Sequence, residues 1–132
     1  MFRPAILTIS CLLAATAAQA DAYPSRPITL VVPGPAGGTP DVVARMVADK
    51  LRTRLGQPII IENKAGANGF IGSAAAAKAP ADGYTLLMGF AQTMAANPVT
   101  FKKLPYDPVK DFTAVAPLVD FELALATPAS VP

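Results

Sequence analysis

The stretch that decides the fold is Ile28-Thr29-Leu30-Val31-Val32-Pro33-Gly34-Pro35-Ala36-Gly37-Gly38-Thr39-Pro40-Asp41. Residues 28–32 are apolar or β-branched with almost no polar alternation, the pattern of a strand covered on both faces in the middle of a parallel sheet. The prolines and glycines of 33–38 cannot continue a strand and predict a turn. Thr39 then offers a hydroxyl to cap a helix. Pro40 carries the backbone angle favoured at a first helical position, and Asp41 complements the positive helix end, so the spacing predicts a helix from Pro40.

Downstream, Val43, Val47, Leu51 and Leu55 recur at four-residue intervals, and Val42 and Met46 are read as widening that stripe. Gly56 is the expected helix stop. A second apolar strand, 58–62, leads through a loop at 63–69 into an alanine-rich helix, 70–79, that must end before Pro80. Asp82-Gly83 turns the chain into a third strand, 84–88, which stops at Gly89. Strand and helix alternate, which predicts an α/β fold with a mostly parallel sheet, right-handed crossovers and flanking helices. Beyond Gly89 the pattern weakens. One short helix is expected within 92–101, a polar connection at 102–111, and strands at Val115–Val119 and Glu122–Ala126, with 127–132 reading as the start of a linker.

The N-terminus is read apart from the fold. Arg3 precedes an apolar run, Ala5 to Ala18, that closes on Ala18-Gln19-Ala20. It is shorter than the ~20 residues needed to span a membrane, so residues 1–20 are expected to be a cleaved secretory signal, which places the product in the periplasm. Lipid attachment at Cys11 would leave an unusually short apolar stretch before it. Cys11 is the single cysteine and the chain has no histidine. Past residue 20, disulfides, thiol nucleophiles and imidazole chemistry are therefore excluded. The net charge of +2 is spread along the chain, with no basic cluster interleaved with aromatics, which argues against nucleic acid as a partner. Residues 21–126 suit one compact domain.

Two segments are candidates for binding. The turn 33–41 follows a central strand and opens a helix, where free backbone N–H groups attract an anion and where open α/β sheets place their ligands. Gly37 and Gly38 leave room for a ligand, although a plain tight turn has the same signature. The glycine spacing fits neither a dinucleotide nor a nucleotide phosphate loop, and no cofactor or metal is expected. Gly89 to Met94 should end the third strand beside that turn, with Gln92 and Thr93 as donors and Phe90 and Met94 as apolar wall or core. Gly66, Gly69 and Gly72 are read as loop and close-packing residues, Tyr84 and Tyr106 as packing residues, and Asp41, Asp107 and Asp111 as helix-start, loop or cap residues. No acid pair suggests general acid–base work, and the serines lack an activating base, so an enzyme is not expected.

Several motifs occur together and in order: Tyr23-Pro24 with Arg26-Pro27-Ile28, the Gly37-Gly38 turn with Asp41, Leu55-Gly56-Gln57-Pro58, Glu62-Asn63, Lys78-Ala79-Pro80 with Asp82-Gly83-Tyr84, and Leu104-Pro105-Tyr106-Asp107. From Tyr23 to about Leu118 the chain resembles the Bug-type solute receptors of tripartite tricarboxylate transporters. The resemblance implies a type II periplasmic-binding-protein fold of two α/β lobes that close over a small carboxylate and deliver it to membrane permease subunits. It also implies that the first lobe holds one carboxylate through Gly37, Gly38, Thr39 and Asp41 and through Gly89, Gln92 and Thr93, with Asn97 and Pro98 in support. Gly34 in place of an aromatic residue, the order Thr39-Pro40-Asp41, and Phe90 after Gly89 depart from the family pattern and bear on which acid is bound. The second lobe is not expected within these residues. A lone lobe is therefore read either as a receptor fragment or as a non-binding structural or interaction module.

Overall fold

The computed structural model describes residues 22–121, 126–127 and 129–130. Residues 1–20, read as a signal, and most of the strand expected at 122–126 lie outside them. Three parallel strands form the sheet: β1 (Ile28–Val32), β2 (Ile59–Asn63) and β3 (Thr85–Leu87), in the order β2-β1-β3. Ile28 is in register with Ile59, and Thr29 with Thr85. The apolar run of β1 thus has its predicted bounds and its central place, and Ile28, Leu30, Val31 and Val32 are all buried. On β2, Ile59, Ile61 and Asn63 are half-buried while Ile60 and Glu62 face outward, the alternation of a strand with one covered face.

Helix α1 (Thr39–Leu55) crosses from β1 to β2 and ends at Gly56, whose φ of 68° and N–H bond to the Arg52 carbonyl make the expected glycine stop. Its start differs from the reading. The helix begins at Thr39 behind an extended Gly38, and no side chain caps it from that position. The buried face also differs. Ala44 and Ala48 lie fully against the sheet, with Val43, Val47, Leu51 and Leu55 half-buried beside them, whereas Val42 and Met46 are 48% and 66% exposed. At roughly 100° per residue, Val42 and Met46 fall on the side of the helix opposite Ala44. The core is small: Leu30, Val32, Ala44 and Met88, with Val43, Ile59, Ile61 and Leu86 packed around it.

A single tight turn, Ala67–Gly69, precedes helix α2 (Phe70–Ala77). The segment expected as one helix after β3 divides into a wide π-type turn, Gln92–Ala96, and a short helix α3 (Asn97–Thr100). The strand expected at Val115–Val119 is absent. Residues 113–120 carry no regular structure and pair with no strand among the described residues, and Val115 and Val119 are exposed. A strand persists only when it pairs with a neighbouring one, and β-branched composition without that pairing does not hold an extended segment in the sheet.

Candidate functional site

The carboxyl ends of the three strands gather three loops. Gly69 lies where they meet: a Cβ on it would come within 2.6 Å of Thr93 Cγ2, in the loop after β3, and 3.1 Å of the Pro33 carbonyl, in the turn after β1. A Cβ on Gly72 would stand 2.7 Å from Pro33 Cα and 2.9 Å from the Lys64 carbonyl. Both glycines are therefore close-packing residues.

In the turn after β1, Gly37 has φ 80°, a conformation that suits glycine, and the Gly38 N–H bonds back to the Pro35 carbonyl at 3.2 Å. The organising group is Asp41, whose carboxylate is 2% exposed although it opens a helix. Its Oδ2 accepts from the Gly37 N–H at 2.8 Å and from Arg45 Nε at 3.0 Å, and its Oδ1 accepts from Asn63 Nδ2 at 2.9 Å. The Arg45 hydrogen bond, then those of Gly37 and Asn63, hold this carboxyl down at about 2. The cap predicted for Thr39 is not formed: no side chain caps the first turn, and Asp41 instead reaches back to the Gly37 N–H ahead of the helix. The Thr39 residue stays exposed. The N–H groups of Thr39 and Asp41 lie in the first helical turn, where no intrahelical acceptor exists.

The loop after β3 begins at Gly89, which is exposed and packs against Met94. Thr93 is fully buried, and its hydroxyl donates to the Phe90 carbonyl at 3.1 Å. Gln92 Nε2 donates to Asn97 Oδ1 at 2.7 Å. The structure therefore brings all seven predicted residues to the same edge of the sheet. It turns Asp41 and Thr93 inward and leaves Gly37, Thr39, Gly89 and Gln92 at the surface. Three residues of this edge escaped the sequence reading as binding candidates: Asn63, which ties β2 to α1; Asn68, whose carbonyl accepts from Asn97; and Tyr106, read only as packing, whose hydroxyl donates to the Thr93 carbonyl. Only the Glu62-Asn63 and Pro105-Tyr106 motifs signalled two of them. Among the described residues no group of three or more His, Cys, Asp or Glu is placed to hold a metal, and no helix is long and apolar enough to cross a membrane.

A parallel α/β sheet with a helix-opening turn and a polar loop at its strand ends is the arrangement in which open α/β folds place their ligands. The chain belongs to the tripartite tricarboxylate transporter receptor family, whose description, "Tripartite tricarboxylate transporter family receptor", matches residues 43–132. It is 44% identical over 110 residues to protein BugT of Bordetella pertussis, covering 83% of this chain and 34% of that one. Among solved structures, it is similar to MatC of Rhodopseudomonas palustris with bound malate (46% identity, TM-score 0.70, 73% of this chain and 33% of that one). It is also similar to Rpa4515 of R. palustris with adipate (42% identity, TM-score 0.63, 65% of this chain and 29% of that one). The chain spans about a third of the length of the curated relatives it matches.

Proposed function

We propose that this chain is the first lobe of a periplasmic receptor that captures a small carboxylate, without catalysis, for permease subunits of a tripartite tricarboxylate-type transporter. The observation that carries the reading is the inward-turned Asp41. Its charge is compensated by Arg45 and its oxygens are taken up by Gly37 and Asn63, so it shapes the turn without confronting an anion. The amide groups of Thr39 and Asp41 then stand at the positive end of a 17-residue helix.

In this reading Gly37 and Gly38 keep the approach clear. The Thr39 hydroxyl and the two amides donate to the carboxylate, Gly89 and Gln92 form the facing wall, and Asp41 and Thr93 act by positioning. The malate and adipate bound by the two similar structures support a dicarboxylate. Residues 1–20 serve as the export signal.

A second reading, a non-binding interaction module, is favoured by the exposed apolar side chains of Val115, Leu118, Val119 and Phe121. A thermal-shift series of the chain against malate, adipate and citrate separates the two, because a ligand that prefers the folded state raises the melting temperature. A dose-dependent rise with an acid, and none with its neutral diamide, supports the receptor. A cooperative melt that no acid moves supports the module.

A further inference from the structure

A buried polar cluster lies beneath the loop after β3, and carboxylate contact gives it no task. Asn97 is fully buried; its Nδ2 donates to the Asn68 carbonyl at 2.9 Å and to Tyr106 Oη at 3.2 Å, while its Oδ1 accepts from Gln92. Tyr106, 5% exposed, donates its own hydroxyl to the Thr93 carbonyl at 2.6 Å. Edge-on contacts with Phe70 and Phe112, each with centroids 6.2 Å apart, hold the tyrosine ring and so aim that hydroxyl. Two side chains thereby join the turn before α2, the turn after β3 and the 101–107 connection.

The turn before α2 needs such a hold. Gly66, Ala67, Asn68 and Gly69 all have positive φ, at 121°, 45°, 53° and 83°. Two of the four are not glycine, and such residues persist in this region only where their surroundings enforce it. Asn97 grips the carbonyl in the middle of the run, and Gly69 is pressed against Thr93.

We propose that Asn97 and Tyr106 are positioning residues of the carboxylate site, a latch that locks the Ala67–Gly69 turn to the Gln92–Ala96 turn. Gly89 and Gln92 are thereby set in their binding geometry before a ligand arrives. The proposal rests on the carboxylate reading. Neither residue touches the ligand; their effect is to lower the ordering cost of binding.

The test compares Y106F, which keeps the ring and removes the hydroxyl, with F101L, which weakens the Phe70–Phe101 contact at 5.0 Å and removes no bond of the latch. Malate and adipate affinities are measured by calorimetry at a temperature where every chain is folded, alongside amide hydrogen exchange. Y106F is expected to bind the responsive acid about tenfold more weakly, and F101L to stay within twofold of the unmodified chain even at equal loss of melting temperature. Unchanged affinity in Y106F, or an equal loss in F101L, overturns the proposal.

Exchange in the unmodified chain gives a measurement that depends on neither the variant nor the ligand. The amides of Gly69, Thr93 and Met94 are bonded within the two turns and must open as one unit with a common denaturant dependence. Separate opening of the two turns overturns the latch. If the unmodified chain binds neither acid, the carboxylate reading fails by itself and the exchange result alone decides whether the two turns are locked.

Discussion

Asn63 Nδ2 meets Asp41 Oδ1 at 2.9 Å, joining the last residue of β2 to the first turn of α1 across 22 residues of sequence. Asn63 also accepts from Arg45 at 3.3 Å, so the end of β2 and the start of α1 share one polar node. Asn63→Ala leaves a buried carboxylate oxygen short of a donor. The expected outcome is a fall of roughly 5–10 °C in melting temperature, read by circular dichroism. An unchanged midpoint would show that water takes over the role of the amide.

The same node makes stability depend on pH with a definite sign. The Asp41 carboxyl is lowered from 3.8 to about 2 on folding. A depressed acid contributes stability that is present above its unfolded value and is lost as pH falls through its folded one. Stability is therefore expected to drop between about pH 4 and pH 2, and Asp41→Asn to flatten part of that slope. Asp107, lowered by N–H bonds from Lys110 and Val109, adds a smaller loss in the same direction. Denaturant melts of both chains at pH 2, 3, 4 and 6 measure it, and superimposable pH profiles would contradict the assignment.

Gly72→Ala tests the close approach of α2 to the turn after β1. The added methyl would stand 2.7 Å from Pro33 Cα and 2.9 Å from the Lys64 carbonyl, both backbone atoms that cannot rotate aside. A loss of about 1–3 kcal/mol is expected from chemical denaturation. A neutral result would mean that the helix can slide away from the sheet.

Ser73, next along α2, has the opposite sign. Its hydroxyl is fully buried and finds no partner among the described residues. Ser73→Ala removes that unsatisfied group and substitutes a better helix former, so a gain of about 0.5–1 kcal/mol is expected. A loss instead would reveal a bound internal water at this position.

What could be read from sequence divides along physical lines. The bounds of β1, the glycine stop at Gly56 and the α/β alternation follow from local rules: continuous apolarity, left-handed backbone and periodicity. The failures required knowledge of partners. Thr39 is a sound cap by composition, but the helix begins at Thr39 itself, behind Gly38, which puts its hydroxyl outside the capping position. Val42 and Met46 extend an apolar stripe on paper, yet the helix turns toward the sheet on Ala44 and Ala48, whose small side chains let it approach. Val115–Val119 has strand composition but pairs with neither outer edge of the sheet. At the candidate site, the position of the glycines and Gln92 at the strand ends follows from their place after strands. Asn97 bonding to Asn68, 29 residues away, and Tyr106 bonding to Thr93 are contacts that no local pattern encodes.

The central claim, that an anion is held at the carboxyl ends of these strands, is tested most directly by following backbone amide resonances of the chain during titration with malate. Saturable shifts concentrated at Thr39, Asp41, Gly89 and Gln92, with residues 49–55 at the far end of α1 unmoved, are the predicted result. Saturation with shifts confined to other surfaces, or no shift at millimolar malate, adipate and citrate, would contradict it.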